Sequence, residues 1–269
     1  MKSKPEMTLD RLLSRFGVAS RTVAREAIQA GRVRVNGRIQ RDPACWVRPR
    51  HDHVQLDGER LRPERKVYLA FYKPKGVIVT RADPDGRKTV YDYLEDYLRG
   101  LSKNRGGSEG GTKAKGSWLA PVGRLDKDTS GLLLATNDTE FAHFVTSPES
   151  CVPKTYRVKL NGLMDEETLS SLRSGVRMKR GDAARPLSVR RLEDRGKYTW
   201  LEIVLTEGKN REVRRMVEAV GFKVLKLVRT SIGPLTLSGL EVGRVRPLSA
   251  AEVAAVRSIR PHLPLGGPH

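Results

Sequence analysis

The stretch Gly123–Asp138, which reads GRLDKDTSGLLLATND, constrains the fold of this chain more than any other. Its apolar run Leu132–Ala135 is short and lies between a glycine and a threonine, which is typical of a buried strand. The loop before this run carries two carboxylates, Asp126 and Asp128, with Arg124 beside them. A buried strand holds such a loop rigidly, as a catalytic side chain requires. A loop carboxylate beside an arginine is more often a simple ion pair, so these residues alone leave both interpretations open.

The charge of the chain indicates a polyanionic partner. Among 269 residues, lysine and arginine number 51 and aspartate and glutamate number 31, which gives a formal net charge of +20. Nucleic acid is the usual partner of so basic a protein. No apolar run approaches the roughly 18 residues of a membrane-spanning helix, and the first ten residues lack the apolar core of a signal peptide. With only two cysteines, Cys45 and Cys151, we expect a reduced, cytoplasmic protein that does not bind membranes.

Residues 1–62 are predicted to form a small N-terminal domain. Apolar residues at helical spacing predict a first helix, and Ser20 is expected to cap a second helix over residues 21–30. The residues expected to face the core from these helices are Leu9, Leu12, Leu13, Phe16, Val23, Ala27, Ile28 and Ala30. The alternating run VRVNGRIQ predicts a hairpin that turns at Asn36-Gly37, and a further strand, Asp52–Leu56, precedes an Asp57-Gly58 turn.

The segment RLLSRFGVASRTVAREAIQAGRVRVNGRI resembles the alpha-L RNA-binding motif, the small domain named after ribosomal protein S-four. The resemblance implies that exposed guanidinium groups contact RNA phosphates, because the planar fork of arginine bonds two oxygens at once. We expect this contact from Arg21, Arg25, Arg32, Arg34 and Arg38. Charge of this kind gives affinity for RNA without a choice of sequence.

Residues 63–269 are predicted to form the second, larger domain, which begins after a short charged linker over residues 63–66. Its first strand runs into YKPKGVIVT, where Pro74 fixes one dihedral angle and Gly76 tolerates a positive one, so the Lys-Pro-x-Gly sequence predicts a turn. We expect a structural role for this turn in the first place, with Lys73 and Lys75 as candidates for contact with phosphate.

Two further segments carry chemistry. KTYRVKL, residues 154–160, alternates as a half-buried strand does, and it carries Tyr156. EGKNREVRRM leads into a helix that starts near Lys209. The apolar residues at i, i+3, i+4 and i+7 of that helix predict a buried stripe, and the arginines are expected on the opposite side. Those arginines are Arg211, Arg214 and Arg215, of which we expect Arg215 to contact RNA.

The remaining segments predict an α+β fold. Helices are expected after Thr89, over Thr139–Thr146, after Asp165 and over Ala250–Ile259, and closing strands over Val224–Ile232 and Leu235–Val245. Residues 103–116 are rich in glycine and lysine, which predicts a basic loop that orders on RNA. We expect a mixed, mainly antiparallel β-sheet with helices packed against it.

The order of the motifs resembles the RsuA/RluB/RluE/RluF family of ribosomal RNA pseudouridine synthases. The motifs are K-P-x-G, GRLD, K-x-Y and N-R-x-V-R-R-M, and they follow the RNA-binding segment. The resemblance implies that Asp126, with Arg124 beside it, is the catalytic nucleophile and that Tyr156 lies against the target base. It also implies that one basic residue of the third motif pairs with Asp126, and the candidates are Lys209, Arg211 and Arg214.

The reaction implied is the isomerisation of uridine to pseudouridine, which has no redox change and needs no cofactor. It needs a carboxylate that a cation keeps ionised, and a cleft that excludes water. Asp126 could add to the anomeric carbon, attack the uracil ring or remove the 2′ proton of the sugar, and the sequence does not choose among these routes. The expected partner is ribosomal RNA or a pre-ribosomal particle, the enzyme is expected to be a monomer, and the third motif favours the large subunit over the small.

Two other classes of protein are compatible with parts of the sequence. A non-catalytic RNA-binding protein of ribosome assembly would share the charge and the N-terminal domain, but it would have no need for the GRLDKDTSG, KTY and EGKNREVRRM segments together. A metal-dependent nucleic-acid hydrolase would use His51 and His53 with Asp52 or Asp57, but the chain offers no well-spaced third His or Cys partner.

Overall fold

The computed structural model describes residues 6–16, 18–49, 51–62, 65–81, 83–103, 119–178 and 181–260. The predicted basic loop at 103–116 lies outside the described residues after Lys103, as do the first half of the predicted linker and the chain from residue 261 onwards. Among the described residues, 6–68, 119–120 and 135–141 form one compact unit, and 69–103, 121–134 and 142–260 form a second.

The first unit contains two helices and six short strands. The helices are α1 (Leu9–Arg15) and α2 (Arg21–Gln29), and the strands are β1 (Met7–Thr8), β2 (Val33–Val35), β3 (Arg38–Gln40), β4 (Trp46–Val47), β5 (Val54–Leu56) and β6 (Glu59–Arg60). β1 pairs with β4, while β3, β2, β5 and β6 form a four-stranded antiparallel sheet in that order. Asn36 and Gly37 both have positive φ angles, as do Asp57 and Gly58, so both predicted turns are confirmed.

The residues of α2 that face the core differ in part from those predicted. Ser20 caps the helix as expected by accepting a hydrogen bond from the backbone of Val23. The core side of α2 is formed by Ala24, Ala27 and Ile28, whereas Val23 is 46% exposed and Ala30 is exposed. The prediction that Val23 and Ala30 face inward was wrong, because positions 24, 27 and 28 complete the i, i+3, i+4 stripe.

The remaining strands build a nine-stranded sheet and one small ribbon. They are β7 (Tyr68–Lys73), β8 (Ala120–Val122), β9 (Ser130–Thr136), β10 (Lys154–Leu160), β11 (Val176–Arg177), β12 (Ala183–Ala184), β13 (Ser188–Arg195), β14 (Tyr198–Leu205), β15 (Val224–Ile232), β16 (Leu235–Thr236) and β17 (Val245–Pro247). The sheet order is β13-β14-β10-β15-β9-β7-β17, with β16 beside β15 and β8 beside β9, and β11 pairs with β12. β15 runs parallel to β9, while β13–β14, β14–β10, β10–β15 and β17–β7 are antiparallel. The mixed, mainly antiparallel sheet of the α+β prediction is confirmed.

Helices connect many of these strands. They are α3 (Val90–Lys103), α4 (Thr139–Thr146), α5 (Glu166–Ser174), α6 (Glu212–Ala219) and α7 (Ala250–Arg257). Alternate residues of β10 and β14 share a buried core with the apolar stripes of α5 and α6, and we call this face of the sheet the inner face. No described helix is both long enough and apolar enough to cross a membrane.

The strand predicted over Leu235–Val245 is wrong. The chain instead forms the two-residue strand β16, then turns, and re-enters the sheet at β17. Gly239 and Gly243 between them have φ angles of +69° and +81°, a conformation that favours glycine and that interrupts an extended strand. The apolar residues of this segment fit a single strand, but the turns at these glycines divide it into two short strands.

Candidate functional site

The loop that carries Asp126 joins β8 to β9 and is held through its backbone. Three consecutive carbonyl oxygens each accept a hydrogen bond from a different element: Lys127 from the Gly76 amide at 2.8 Å, Asp128 from Nη2 of Arg214 at 3.1 Å, and Thr129 from Nζ of Lys73 at 2.8 Å. The Thr129 amide closes the turn by donating to the carbonyl of Asp126 at 3.0 Å. The carboxylate of Asp126 is thus presented by a loop whose backbone is fixed on several sides.

β9 and β15 approach closely just after this loop. Gly131 has a φ angle of +119°, and a Cβ atom at this position would lie 2.3 Å from the carbonyl oxygen of Arg229. Arg229 in turn donates from Nε to the carbonyl of Leu132 at 2.7 Å. The glycine of the GRLDKDTSG segment is therefore needed for the parallel pairing that anchors the loop.

Asp126 borders a cavity of about 400 Å³ in the second unit, within the size range of ligand pockets. Its side chain is 35% exposed, and its Oδ2 atom lies 3.9 Å from Nη1 of Arg211. Arg211 has a left-handed backbone conformation, with φ of 49°, at the first turn of α6. Such a conformation is uncommon for residues other than glycine, and it is found in turns and at functional sites.

Arg214 is the second guanidinium near Asp126. The sequence placed it on the exposed side of α6, but it is only 9% exposed, so that prediction was wrong. It bridges the carbonyls of Asp128 and Val224, while its buried Nε has no hydrogen-bond partner in the described structure. Burial lowers the pKa of Arg214, and the charge of Arg211 lowers it further, while the nearby carboxylates oppose both effects. The arginine nevertheless stays charged, because its ordinary pKa is above 12.

Three more buried cations adjoin this site, and sequence reasoning missed their burial. Lys73, Lys154 and Arg229 are 0%, 7% and 6% exposed. Burial lowers the pKa of Lys73 to about 8, against the opposing effect of Asp126 and Asp128. Burial, together with the charge of Arg229, lowers the pKa of Lys154 to about 8. Lys154 and Arg229 line the cavity, and the one available signal was that Lys154 falls in the same alternate positions of β10 as Tyr156, Val158 and Leu160.

The burial of Lys73 contradicts its candidate contact with phosphate and agrees with the structural role expected of the turn. Its ammonium group donates to the carbonyls of Pro74 and Thr129 and has no surface for a phosphate to reach. The lysine of the K-P-x-G motif thus holds the loop of Asp126 from behind. Lys75 is exposed, as its predicted phosphate contact requires.

Tyr156 lies on the inner face of β10 and lines the same cavity as Asp126. Its ring is partly buried against two apolar clusters, one formed with α5 and α6 and the other containing Leu125 and Leu133. Leu125 directly precedes Asp126, so the ring and the carboxylate are positioned by neighbouring parts of one core. The structure brings together these two residues, which the sequence singled out from separate motifs.

The other predicted site residues have different neighbours. Lys209 lines the cavity, but its ammonium group lies 2.8 Å from Glu207, which raises the pKa of the lysine. Arg124 lines the cavity and is exposed, and no ion pair of it is found among the described residues. Arg215 pairs with Asp182 at 2.7 Å and is 22% exposed.

The arginines of the first unit are exposed and partly paired. Arg21 and Arg25 both bond to Oδ2 of the buried Asp10, and Arg32 pairs with Asp57. Arg34 and Arg38 are exposed, and Arg34 donates to the carbonyl of Gly37.

The residues of the alternative metal site have structural contacts. Asp52 accepts hydrogen bonds from the Arg48 amide at 2.6 Å and from the Asn36 side chain at 3.0 Å, which fixes a turn. His51 and His53 are exposed. In the part of the chain that the structure describes, no group of three or more His, Cys, Asp or Glu residues is placed to hold a metal ion.

Comparisons with known proteins place both units in families. Residues 67–219 match the family model described as RNA pseudouridylate synthase, and residues 7–48 match the S4 domain. The chain is 37% identical over 256 residues to "Ribosomal large subunit pseudouridine synthase B" of Bacillus subtilis (strain 168), which covers 94% of this chain and 97% of that protein. It is 36% identical over 250 residues to "Uncharacterized RNA pseudouridine synthase" of Aquifex aeolicus (strain VF5), which covers 93% of each. A solved structure described as "Crystal structure of pseudouridylate synthase" is similar with a TM-score of 0.62 and 26% identity, over 93% of this chain and 99% of that one.

Proposed function

The chain belongs to the RNA pseudouridylate synthase family, and we propose on that basis that it isomerises uridine to pseudouridine in ribosomal RNA of the large subunit. The family and the relatives make it an isomerase that acts on RNA. The large subunit is the substrate named for the Bacillus subtilis relative, whose full length this chain matches. The observation that carries the proposal is the carboxylate of Asp126, which a clamped loop presents at a cavity surrounded by cations.

Asp126 is the proposed nucleophile. In the reaction, the bond between the anomeric carbon and nitrogen 1 of uracil breaks, the base turns, and a bond from the anomeric carbon to carbon 5 forms; carbon 5 loses its proton and nitrogen 1 gains one, so the product is an isomer of the substrate. Asp126 can follow any of the three routes, at the anomeric carbon, the uracil ring or the 2′ proton, only while its carboxylate is ionised. Neighbouring positive charge favours the ionised form. The buried cations Lys73 and Arg214 supply such charge to the Asp126 loop.

Arg214 is the proposed principal partner of Asp126, with Arg211 in a supporting role. Arg211 lies nearer, but an ion pair whose members are 46% and 35% exposed is worth at most about 1 kcal/mol because water screens it. Arg214 is largely removed from water, where charges interact more strongly, and its unpartnered Nε leaves it a donor to offer. Lys209 is engaged by Glu207 and is not proposed as the partner.

Tyr156 is proposed to lie against the uracil ring. A uridine in folded RNA must leave its stack to enter the cavity, at a cost of a few kcal/mol, and an aromatic ring compensates part of that loss by stacking. A base seated on Tyr156 also excludes water from Asp126, which protects the reaction from hydrolysis to free uracil.

We further propose that residues 1–62 are the RNA-binding domain and residues 63–269 the catalytic domain. The S4 match within the first range and the exposed arginines support this division. The enzyme is proposed to act as a monomer and in the cytoplasm.

The test is the release of tritium from large-subunit RNA that carries uridine labelled at carbon 5. We expect Asp126→Asn to abolish release while RNA binding, measured by filter retention, stays within about twofold of wild type. Full turnover by the Asn variant would refute the role of Asp126. If only small-subunit RNA released tritium, the proposed substrate would be wrong and the proposed reaction would still hold.

A further inference from the structure

The face of β10 and β14 opposite to α5 and α6, which we call the outer face, carries a cluster of cations and aromatic rings. The cluster is formed by β10, β13, β14 and β15, and nothing in the proposed reaction uses it. Its members are Arg157, Lys159, Arg195, Lys197, Tyr198, Trp200 and Lys226, named here the basic-aromatic patch.

Strand register places these side chains on one face. Lys159 lies directly opposite Trp200 on β14 and opposite Lys226 on β15. Arg195 lies opposite Tyr198 across the hairpin between β13 and β14. Residues directly opposite each other project to the same side of a sheet, so the patch spans four adjacent strands about 4.8 Å apart.

Aromatic rings hold two of the cations in place. Nζ of Lys159 lies 3.9 Å from the ring centroid of Tyr198, and Cζ of Arg157 lies 4.8 Å from that of Trp200. These distances are within the range of cation–π attraction, which restrains both side chains without neutralising them. The positive charge is therefore presented in a fixed place.

Carboxylates compensate part of this charge at Arg157, which lies directly opposite Glu202, but not at the lysines. Arg157 pairs with Glu193 at 3.0 Å, but no ion pair of Lys159, Lys197 or Lys226 occurs among the described residues. Lys159 and Lys226 are like charges directly opposite each other, an arrangement that destabilises a sheet. Two like charges therefore stand on adjacent strands of the outer face, where bound phosphate anions would offset their repulsion.

We propose that the basic-aromatic patch is a second RNA-binding surface, which contacts the phosphate backbone of ribosomal RNA outside the segment that enters the catalytic cavity. This inference rests on the proposed RNA substrate. The rings are covered by cations, so the patch is suited to phosphates and not to the stacking of bases. It adds affinity for long RNA without reading sequence.

The test compares two triple variants of the full chain with wild type. The patch variant is Lys159→Gln, Lys197→Gln and Lys226→Gln. The control variant, Lys88→Gln, Arg177→Gln and Arg260→Gln, removes the same charge from exposed cations of the second unit that lie outside the patch. Each is measured for binding to protein-free large-subunit RNA over a range of salt concentrations. Each is also measured for turnover of a short stem-loop that includes the target uridine but not the surrounding ribosomal RNA.

We expect the patch variant to bind long RNA at least tenfold more weakly than the control variant. The slope of log affinity against log salt should fall by about 2 to 3, since about three phosphate contacts are lost. Turnover of the stem-loop should stay within twofold of wild type for both variants. RNA should also shield Lys159 and Lys226 from chemical acetylation in the wild-type protein, and only long RNA should do so.

Three results would overturn the proposal. Equal losses in the two triple variants would show that only net charge matters. A loss confined to pre-ribosomal particles, with binding to protein-free RNA unchanged, would assign the patch to a protein partner. Equal shielding of the two lysines by stem-loop and long RNA would place the patch within reach of the catalytic substrate. If the enzyme isomerised no RNA at all, the proposed function would fail while the binding comparison would still stand.

Discussion

The buried cations that bind the Asp126 loop and the cations of the N-terminal domain are held in different ways. Around Asp126 the cations are buried and donate to backbone carbonyl oxygens, as Lys73 and Arg214 do. In the N-terminal domain, Arg21 and Arg32 are more than half exposed and are held by carboxylates. A buried cation that bonds only to neutral carbonyls keeps its full electrostatic effect on the nearest anion, whereas an exposed and paired cation is screened. The buried cations beside the Asp126 loop are thus suited to act on a reacting group, and the exposed arginines to add affinity for RNA.

The largest effect on kcat is expected from a substitution of Arg214. It tests the claim that a buried cation acts on the reacting group. Arg214→Gln should lower kcat about 100- to 1000-fold, the usual loss when a charge that stabilises the reacting centre is removed. Arg211→Gln should lower kcat by about tenfold or less, because the pair it breaks is solvent-exposed. Single-turnover kinetics on a labelled stem-loop measures both.

Arg214→Lys is the control, since it keeps the charge and can still donate to the carbonyl of Asp128. It should recover most of the lost rate. A larger loss for Arg211→Gln than for Arg214→Gln would show that proximity outweighs burial in this cavity.

A smaller effect on rate is expected from Lys73, which acts on Asp126 through the loop. Lys73→Met should lower kcat about 10- to 100-fold, because the Thr129 carbonyl loses its donor and the loop loses a fixed contact. The free energy of unfolding should change by less than about 2 kcal/mol, since removing a buried charge offsets the cost of the unsatisfied carbonyls. Denaturant unfolding and stem-loop kinetics separate the two effects, and wild-type kcat in the variant would contradict the role of Lys73.

The pH dependence offers a third test. The pKa values of Lys73 and Lys154 are lowered to about 8, so both lysines lose their protons in the folded protein as pH rises through 8. Activity should therefore begin to fall near pH 8. The unfolded chain keeps these protons until about pH 10.5, so it binds more protons between pH 8 and 10.5, and the contribution of both lysines to stability should rise there.

The two responses have opposite signs, which makes them easy to distinguish from a general loss of structure. Comparing the pH profile of wild type with that of Lys73→Met isolates one of the two lysines. Activity that stays flat to pH 9.5 in both proteins would show that the buried lysines do not influence Asp126.

The smallest effect is expected from the exposed arginines. Arg34→Gln together with Arg38→Gln should weaken binding of large-subunit RNA about fivefold and lower the salt slope by about 2, with kcat at saturating RNA unchanged. Arg21→Gln should in addition lower stability, because Arg21 helps to neutralise the buried Asp10. A lower kcat in the Arg34→Gln, Arg38→Gln double variant would show that exposed cations also affect the reaction, contrary to this comparison.

Much of this architecture was predictable from the sequence, because local signals and tertiary packing agree. The Asn36-Gly37 hairpin, the helix Thr139–Thr146 and the short strand after the Asp126 loop follow from turn chemistry and periodicity. The bounds of the first closing strand, Val224–Ile232, were also correct.

The burial of the cations was not predictable in the same way. Lysine and arginine are almost always exposed, so Lys73 and Arg214 were assigned to the surface, and Arg229 was not singled out. Their burial depends on carbonyl acceptors that come from distant parts of the chain: Thr129 for Lys73, and Leu132 for Arg229. No spacing within a single segment encodes such partners.

The most direct test of the central claim is a map of pseudouridines in the large-subunit RNA of cells that lack this gene. We expect at least one position to be uridine in those cells, to become pseudouridine when the wild-type gene is restored, and to stay uridine when the gene carries Asp126→Asn. Full restoration of every position by the Asp126→Asn gene would contradict the account.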